Sequence, residues 1–279
     1  MNEKIIGIDL GGTNIRAGIV EQGKLIRTES EKVEFQGSVN DVLDQICSLV
    51  DRMGYKTSDG IGIGVPGPVD DVHGIVYELI NIPAWKRVEL KDILENKFKV
   101  PVRVQNDANC FALAEYHFGR GKGCRSFIGL IVGTGIAGGI IIEGKLYSGP
   151  NGMAGEFGMM PYLDKYYEYY CCGQFFTNVY GITGKEAAGL AAAGDLSALK
   201  MWKEFGNHFG NAIQAIMYAY DPQKIILGGS VGTSLPLYEK QTLEVLQNFV
   251  FKNSLANFKL EASALNDPGI LGAAALHMI

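Results

Sequence analysis

Residues 6–26 read IGIDLGGTNIRAGIVEQGKLI, and residues 128–146 read IGLIVGTGIAGGIIIEGKL. Each segment runs from an apolar strand through a glycine–threonine turn into a second apolar strand. Each then passes through Gly23-Lys24 or Gly144-Lys145 toward a third strand. Two glycine-rich hairpins can look alike by chance, but self-similarity of this length marks one supersecondary unit used twice. The chain therefore reads as two related lobes. Lobes that face one another would bring both hairpin turns to a shared cleft, a common place for a ligand.

Outward from the first hairpin, residues 38–53 carry apolar residues at helical spacing, with Ser38 as the N-cap. A strand follows at 60–65, then a helix at 89–98, then the strand Val100-Pro101-Val102-Arg103-Val104. Asn106-Asp107 opens a helix that runs to about Phe118. Gly119–Gly123 breaks the pattern, which puts the lobes at 1–118 and 119–279, with the last helix (269–279) free to return to the first. Beyond the second hairpin, 147–185 reads as an irregular, substrate-facing loop region. Residues 195–220 form the longest helix, with Leu199, Trp202, Phe205, Phe209, Ile213, Ile216 and Met217 on one face. Asp221-Pro222 ends it, a buried-type strand follows at Lys224–Leu227, and a helix at 236–250 and a strand near 258–261 precede the last helix. Helices interleaved with strands predict an α/β fold with partly parallel sheets.

Composition narrows the function. Of 279 residues, 47% are hydrophobic and 20% charged, normal for a globular protein, and the net charge of −5 carries no basic excess for a nucleic-acid backbone. No apolar run is long enough to span a membrane. The first strand starts about three residues after Met1 with no export-signal layout, so the expectation is a cytoplasmic chain. Cys47, Cys110, Cys124, Cys171 and Cys172 make neither a CxxC pair nor a disulfide framework. Glycine, at 37 residues, is nearly twice its usual share of roughly 7% and sits inside strand-like segments, so it is no linker and calls for an explanation in backbone geometry.

Asp9-Leu10-Gly11-Gly12-Thr13-Asn14 lies between two strands. Glycines in such a turn let backbone N–H groups face a phosphate, Thr13 and Asn14 add side-chain donors, and Asp9 can hold Mg²⁺ through water. A plain tight hairpin would also use Gly-Gly. The recurrence of Gly133-Thr134-Gly135 at the matching place favours phosphate. No Walker sequence is present. Gly62, Gly64 and Gly67 match a dinucleotide spacing, but Pro66-Gly67-Pro68 would break the helix that motif must open. Asp107, at a helix start, is either an N-cap or the carboxylate that orients and deprotonates an acceptor hydroxyl, with the helix N-terminus keeping it ionised. Glu156, in Gly155-Glu156-Phe157-Gly158, is a second carboxylate, suited to vicinal hydroxyls or simply solvated.

In these residues the chain resembles the ROK family of sugar kinases, within the two-lobed actin-like, hexokinase-like (ribonuclease H-like) ATPases. The phosphate-1 signature is similar to Asp9–Gly18, the catalytic segment to Val104–Asn109 and phosphate-2 to Gly133–Gly139. The sugar segment resembles Gly149–Gly158 and the adenosine-side loop Ile225–Gly232. The resemblance implies ATP-dependent phosphorylation of a hexose or amino-sugar hydroxyl, with Asp107 as general base. It further implies Asn106, Glu156, Gly67 and Asn81 on the sugar. ATP would be held by Asp9, Gly11, Gly12, Thr13, Asn14, Gly133, Thr134, Gly135, Gly228 and Gly229. Mg²⁺ would sit on the Asp9 side, and the protein would be a homodimer.

Two departures matter. The family's Gly-Glu-x-Gly run is followed by a His that contacts sugar and zinc, and here Met159 stands there. Its cysteine cluster shrinks to Cys171-Cys172-Gly173-Gln174, and the glutamate after it is missing, its place falling near Phe175-Phe176. A tetrahedral zinc site cannot be rebuilt from these, so no structural zinc is expected. Tyr166–Tyr170, with Glu168, are the candidates to replace the lost contacts, although a tyrosine run more often serves packing than recognition. A catalytically silent sugar sensor of the same fold is the alternative reading. The family's DNA-binding members carry an N-terminal extension for which this chain leaves no room.

Overall fold

A computed structural model describes residues 3–80 and 82–279 and divides the chain into two compact units. The first holds Met1–Gly123, Lys145–Ala154 and Leu265–Ile279, and the second holds Cys124–Gly144 and Gly155–Ala264. Among the described residues no helix is long and apolar enough to cross a membrane.

The first unit is built on a five-stranded sheet. Strands β1 (Lys4–Leu10), β2 (Asn14–Glu21) and β3 (Lys24–Lys32) form an antiparallel meander, and β4 (Gly60–Val65) and β5 (Val102–Asn106) extend it in parallel from β1. Period-two alternation sorts β1 onto two faces. Ile6, Ile8 and Leu10 pack in the large core with α1 (Val39–Met53) and α2 (Leu90–Phe98). Ile5 turns to the opposite face, against Ala114 of α3 (Asp107–His117) and Ile270, Leu271 and Ala274 of the C-terminal helix Pro268–Ala275. Ser38 caps α1 in a capping box with Asp41, as its position predicts.

Much of the glycine excess is explained on that second face. A Cβ on Gly7 would stand 2.2 Å from the Ile270 carbonyl oxygen, and one on Gly62 would stand 1.8 Å from that of Ala273. Gly7 and Gly62 are paired across β1 and β4. The sheet thus presents bare backbone to a helix that lies directly on it, and any side chain there would push the helix off. The same face carries Asp9 at the end of β1, opposite Gly64. A small meander (Val69–Asp70, Ile75–Tyr77, Arg87–Val88) follows β4.

The second unit repeats the plan. β6 (Phe127–Val132) and β7 (Ile136–Ile142) form the antiparallel hairpin, while β8 (Lys224–Gly228) and β9 (Lys259–Ala262) extend the sheet in parallel from β6. Segment 147–185 is more regular than its composition suggests: it includes α4 (Tyr167–Cys171) and α5 (Gln174–Tyr180). Their apolar residues are contiguous rather than periodic, so helix spacing could not reveal them. The alanine-rich α6 (Gly184–Ala192) was equally hidden. The long helix α7 (Leu196–Tyr220) buries the expected stripe except Leu199, which is exposed, and ends at Asp221 in the left-handed region. The predicted helix 236–250 contracts to α8 (Glu239–Leu246). Trp202, Phe205 and Phe209 meet Tyr238 at ring separations of 5.0–5.7 Å and form the aromatic centre of this unit.

Candidate functional site

In the first unit, the β1–β2 turn closes through the Gly11 N–H donating to the Asn14 carbonyl at 3.0 Å, which leaves Gly12, Thr13 and Asn14 exposed at its tip. The Thr13 carbonyl accepts from Val33 N–H at 3.0 Å, so the backbone is anchored on its far side. Asp9, with a side chain only 13% exposed, forms an ion pair with Arg16, and Arg16 reaches on to Asp267 at 3.0 Å. Arg16 and Asp267 were not singled out in the sequence, although Arg16 lies inside the phosphate-1 signature. Asp267 is 251 residues away and is brought in by the C-terminal helix. The donor set suits magnesium held at one remove: Asp9 is a single carboxylate, Arg16 occupies one of its oxygens, and this ion keeps most of its water shell.

The β5–α3 junction separates two roles that the sequence left entangled. Asn106 is the N-cap: its side-chain oxygen accepts from Ala108 and Asn109 N–H at 2.9 and 3.3 Å. Its amide nitrogen donates to the Gly67 carbonyl at 3.2 Å. Asp107 is the first helical residue, half-buried, and also accepts from Ala108 N–H at 2.8 Å. Beneath it, Cys110 is fully buried, and its thiol is held well above the usual range by that burial and then by the charges of Asp107 and Asp9. Those two carboxylates therefore share one neighbourhood. Gly67 is held at φ +125° with Leu79 close against it, a conformation that excludes a side chain. Asn81 lies outside the described residues.

In the second unit the β6–β7 turn is laced to the α4–α5 segment. Gly173 N–H donates to the Gly133 carbonyl at 2.7 Å. Cys172 Sγ and Gln174 Nε2 donate to the Thr134 carbonyl at 2.9 and 3.0 Å, and Glu168 accepts from Ile136 N–H at 3.1 Å. With its carbonyl occupied, Thr134 stands exposed at the tip. Gly133 and Thr134 border a cavity of about 500 Å³ shared with Thr183, Lys185, Trp202 and Ser230. Gly229, at φ +79°, places the start of the next turn against the Val132 carbonyl, so the Gly228-Gly229 bend brings Ser230 to this cavity. Lys185 is its one lining cation among the described residues and was missed because it follows a capping Thr183 and reads as ordinary helix surface.

Glu156 is set on the same unit by a tight backbone contact. Gly138 N–H donates to the Gly155 carbonyl at 2.9 Å, and a Cβ at Gly155 would meet the Gly138 carbonyl oxygen at 1.7 Å. Burial raises the Glu156 carboxyl above its ordinary range, and the Glu168 charge adds to this. Glu168 packs near: a Cβ on Gly158 would lie 3.2 Å from its own.

The residues near the family's zinc position do not fit that metal. Met159 is exposed, and burial pushes the Cys172 thiol up to about 12, leaving it a neutral donor to the Thr134 and Glu168 carbonyls. Among the described residues no three His, Cys, Asp or Glu side chains gather as a ligand set. Aromatic packing occupies the region. Tyr162 stacks on Tyr167 at 4.6 Å, Tyr170 lies 4.8 Å from His208, and the Tyr162 hydroxyl meets His208 Nδ1 at 3.2 Å.

Comparison with known proteins follows the same residues. The ROK family profile matches residues 5–278. A glucokinase of Thermotoga maritima is 28% identical over 98% of this chain and 96% of its own. An N-acetyl-D-glucosamine kinase of Pasteurella multocida is 32% identical over 98% of both. A crystal structure of a ROK family glucokinase from Streptomyces griseus, in complex with glucose and AMPPNP, superposes with a TM-score of 0.83 at 28% identity and 98% coverage of each chain. The duplicated sheets are those of the actin-like ATPase fold. With a match that takes in both glycine–threonine turns, the Asn106–Asp107 junction and the C-terminal helix, the chain belongs to the ROK family.

Proposed function

We propose that the protein is an ATP-dependent kinase that transfers the γ-phosphoryl group to a hydroxyl of a hexose or amino sugar. The observation that carries this reading is the β5–α3 junction, where Asn106 is the N-cap and Asp107, the first helical residue, lies half-buried in one neighbourhood with Asp9. Asp107 orients the acceptor hydroxyl and takes its proton as the hydroxyl oxygen attacks phosphorus and the bond to the ADP oxygen breaks. Asn106, Gly67, Asn81 and Glu156 hold sugar hydroxyls. The exposed turns, Gly11–Asn14 and Gly133–Gly135, hold phosphates, and the cavity beyond Gly228-Gly229 takes the nucleoside side. Magnesium, when bound, offsets charge on the nucleotide phosphates, and Asp9 holds it through water. The relatives named glucokinase and N-acetyl-D-glucosamine kinase support this substrate class. The reading extends to a homodimer acting in the cytoplasm, where ATP is present, which sedimentation and fractionation would check.

An ADP-coupled assay over a panel of hexoses and amino sugars tests the activity. Sugar-dependent ADP release is expected, with kcat lowered about 10²- to 10⁴-fold in Asp107→Asn. If no sugar raises ATP turnover, or Asp107→Asn keeps its rate, the reading fails. Sugar binding without ADP release would favour a silent sensor instead.

A further inference from the structure

Gln105 is nearly fully buried, 2% exposed, at the end of β5, yet it is neither capping nor within the phosphate turns. Its carbonyl oxygen accepts from the Asn106 N–H at 2.8 Å and from Asn109 Nδ2 at 3.1 Å. Its amide nitrogen donates to Asp71 Oδ2 at 3.1 Å and to Ser148 Oγ at 3.2 Å. Ser148 in turn donates to the same Asp71 oxygen at 3.1 Å, which closes a triangle. The amide orientation is chemically forced: a backbone N–H needs an acceptor on one side, and a carboxylate needs a donor on the other.

From this we infer that Gln105, with Asp71 and Ser148, is the positioning element for Asn106 and Asp107. One uncharged side chain spans four partners, with the catalytic junction at its carbonyl end. At its amide end are the turn after the strand Val69–Asp70 and the segment Lys145–Ala154. A partner that is both donor and acceptor is required, so neither Glu nor Leu can replace Gln105. Glutamate would keep the bonds to Asn106 and Asn109 but set a second carboxylate against Asp71, where the single Ser148 hydroxyl cannot satisfy both. The junction would then shift by a fraction of an ångström or more, which is enough to spoil in-line attack. The inference rests on the kinase reading for its effect on rate, but not for its effect on structure.

The test is a charge swap in the full chain: Gln105→Glu, Asp71→Asn and the double variant, which restores donor facing acceptor. Two readouts are taken, ADP release under saturating sugar and ATP, and hydrogen exchange of the peptide covering residues 105–110. Expected for Gln105→Glu is a ten- to hundred-fold loss of kcat with a raised sugar KM. The ATP KM should stay within about two-fold, and exchange at 105–110 should quicken. The double variant should recover most of both losses. Overturning results are unchanged exchange in Gln105→Glu, or a double variant no better than the worse single one. If the wild-type chain turns over no sugar while exchange follows the expected pattern, the kinase reading fails and the positioning of the junction stands.

Discussion

Asn106 and Asp107 are adjacent and carry similar side chains but hold different places, Asn106 as the N-cap of α3 and Asp107 as its first helical residue, because a helix has one N-cap position. Sequence placed both residues at the helix start but could not divide the work, since either type caps well. The same limit applies to Glu156, whose environment depends on Glu168, twelve positions along on α4. Both causes, burial and the Glu168 charge, favour the neutral carboxyl. A folded-state pKa above the unfolded one means that the folded chain keeps a proton the unfolded chain has lost. Stability therefore falls as pH rises through that window. Glu156→Gln should melt at a higher temperature than wild type at pH 7 and show little gain at pH 4, followed by calorimetry. With the charged form binding sugar, the acid limb of kcat/KM for sugar should lie above the range of an ordinary glutamate. Glu168→Gln keeps an acceptor for the Ile136 N–H while removing the charge, so that limb should move to lower pH; a limb that stays put would separate Glu156 from Glu168.

Among the elements, the C-terminal helix and α6 show how differently glycine can be used. Gly62 permits the sheet and the helix Pro268–Ala275 to touch backbone to backbone, whereas Gly189 in α6 has nothing within 4 Å of its missing Cβ. Gly62→Ala should therefore destabilise by about 1–3 kcal/mol or more through overpacking. Gly189→Ala should stabilise by roughly 0.5–1 kcal/mol by restricting the unfolded chain. Denaturant melts of the two variants check this, and equal effects would refute the packing account. Strands and the periodic helices α1 and α7 were legible in the sequence because burial on one face imposes a period that residue order records, and α3, buried all round, was legible from the cap residues at its start. Helices α4, α5 and α6 were not. They are short, and α4 and α5 are packed by aromatic neighbours from α7, so contact with another element, and not their own period, sustains them.

For the whole molecule, the first unit is held by apolar clusters on both faces of its sheet, and the second by aromatic packing that includes Tyr162, Tyr167, Tyr170 and His208. A zinc chelator should leave the melting temperature within about 1 °C, since among the described residues no ligand set gathers that could lose an ion. EDTA should abolish turnover through Mg²⁺ alone, and Mg²⁺ added back should restore it fully. A chelator-induced drop in melting temperature would contradict the aromatic packing. The sequence by itself determined the repeated hairpins, the α/β class, the family and the position of the two glycine–threonine turns, because these depend on local backbone geometry and on patterns written within a few tens of residues. Only the tertiary structure decided that Asn106 is the N-cap and Asp107 the first helical residue. It also decided that Arg16 links Asp9 to Asp267, that Lys185 lines the cavity bordered by Gly133 and Thr134 and that Gln105 joins Asp71 and Ser148 behind the Asn106–Asp107 junction. Those are hydrogen-bonding and charge partnerships between residues up to 251 positions apart. Such partnerships leave no period in the chain, and distance along it says nothing about which donor will find which acceptor once the cores have closed.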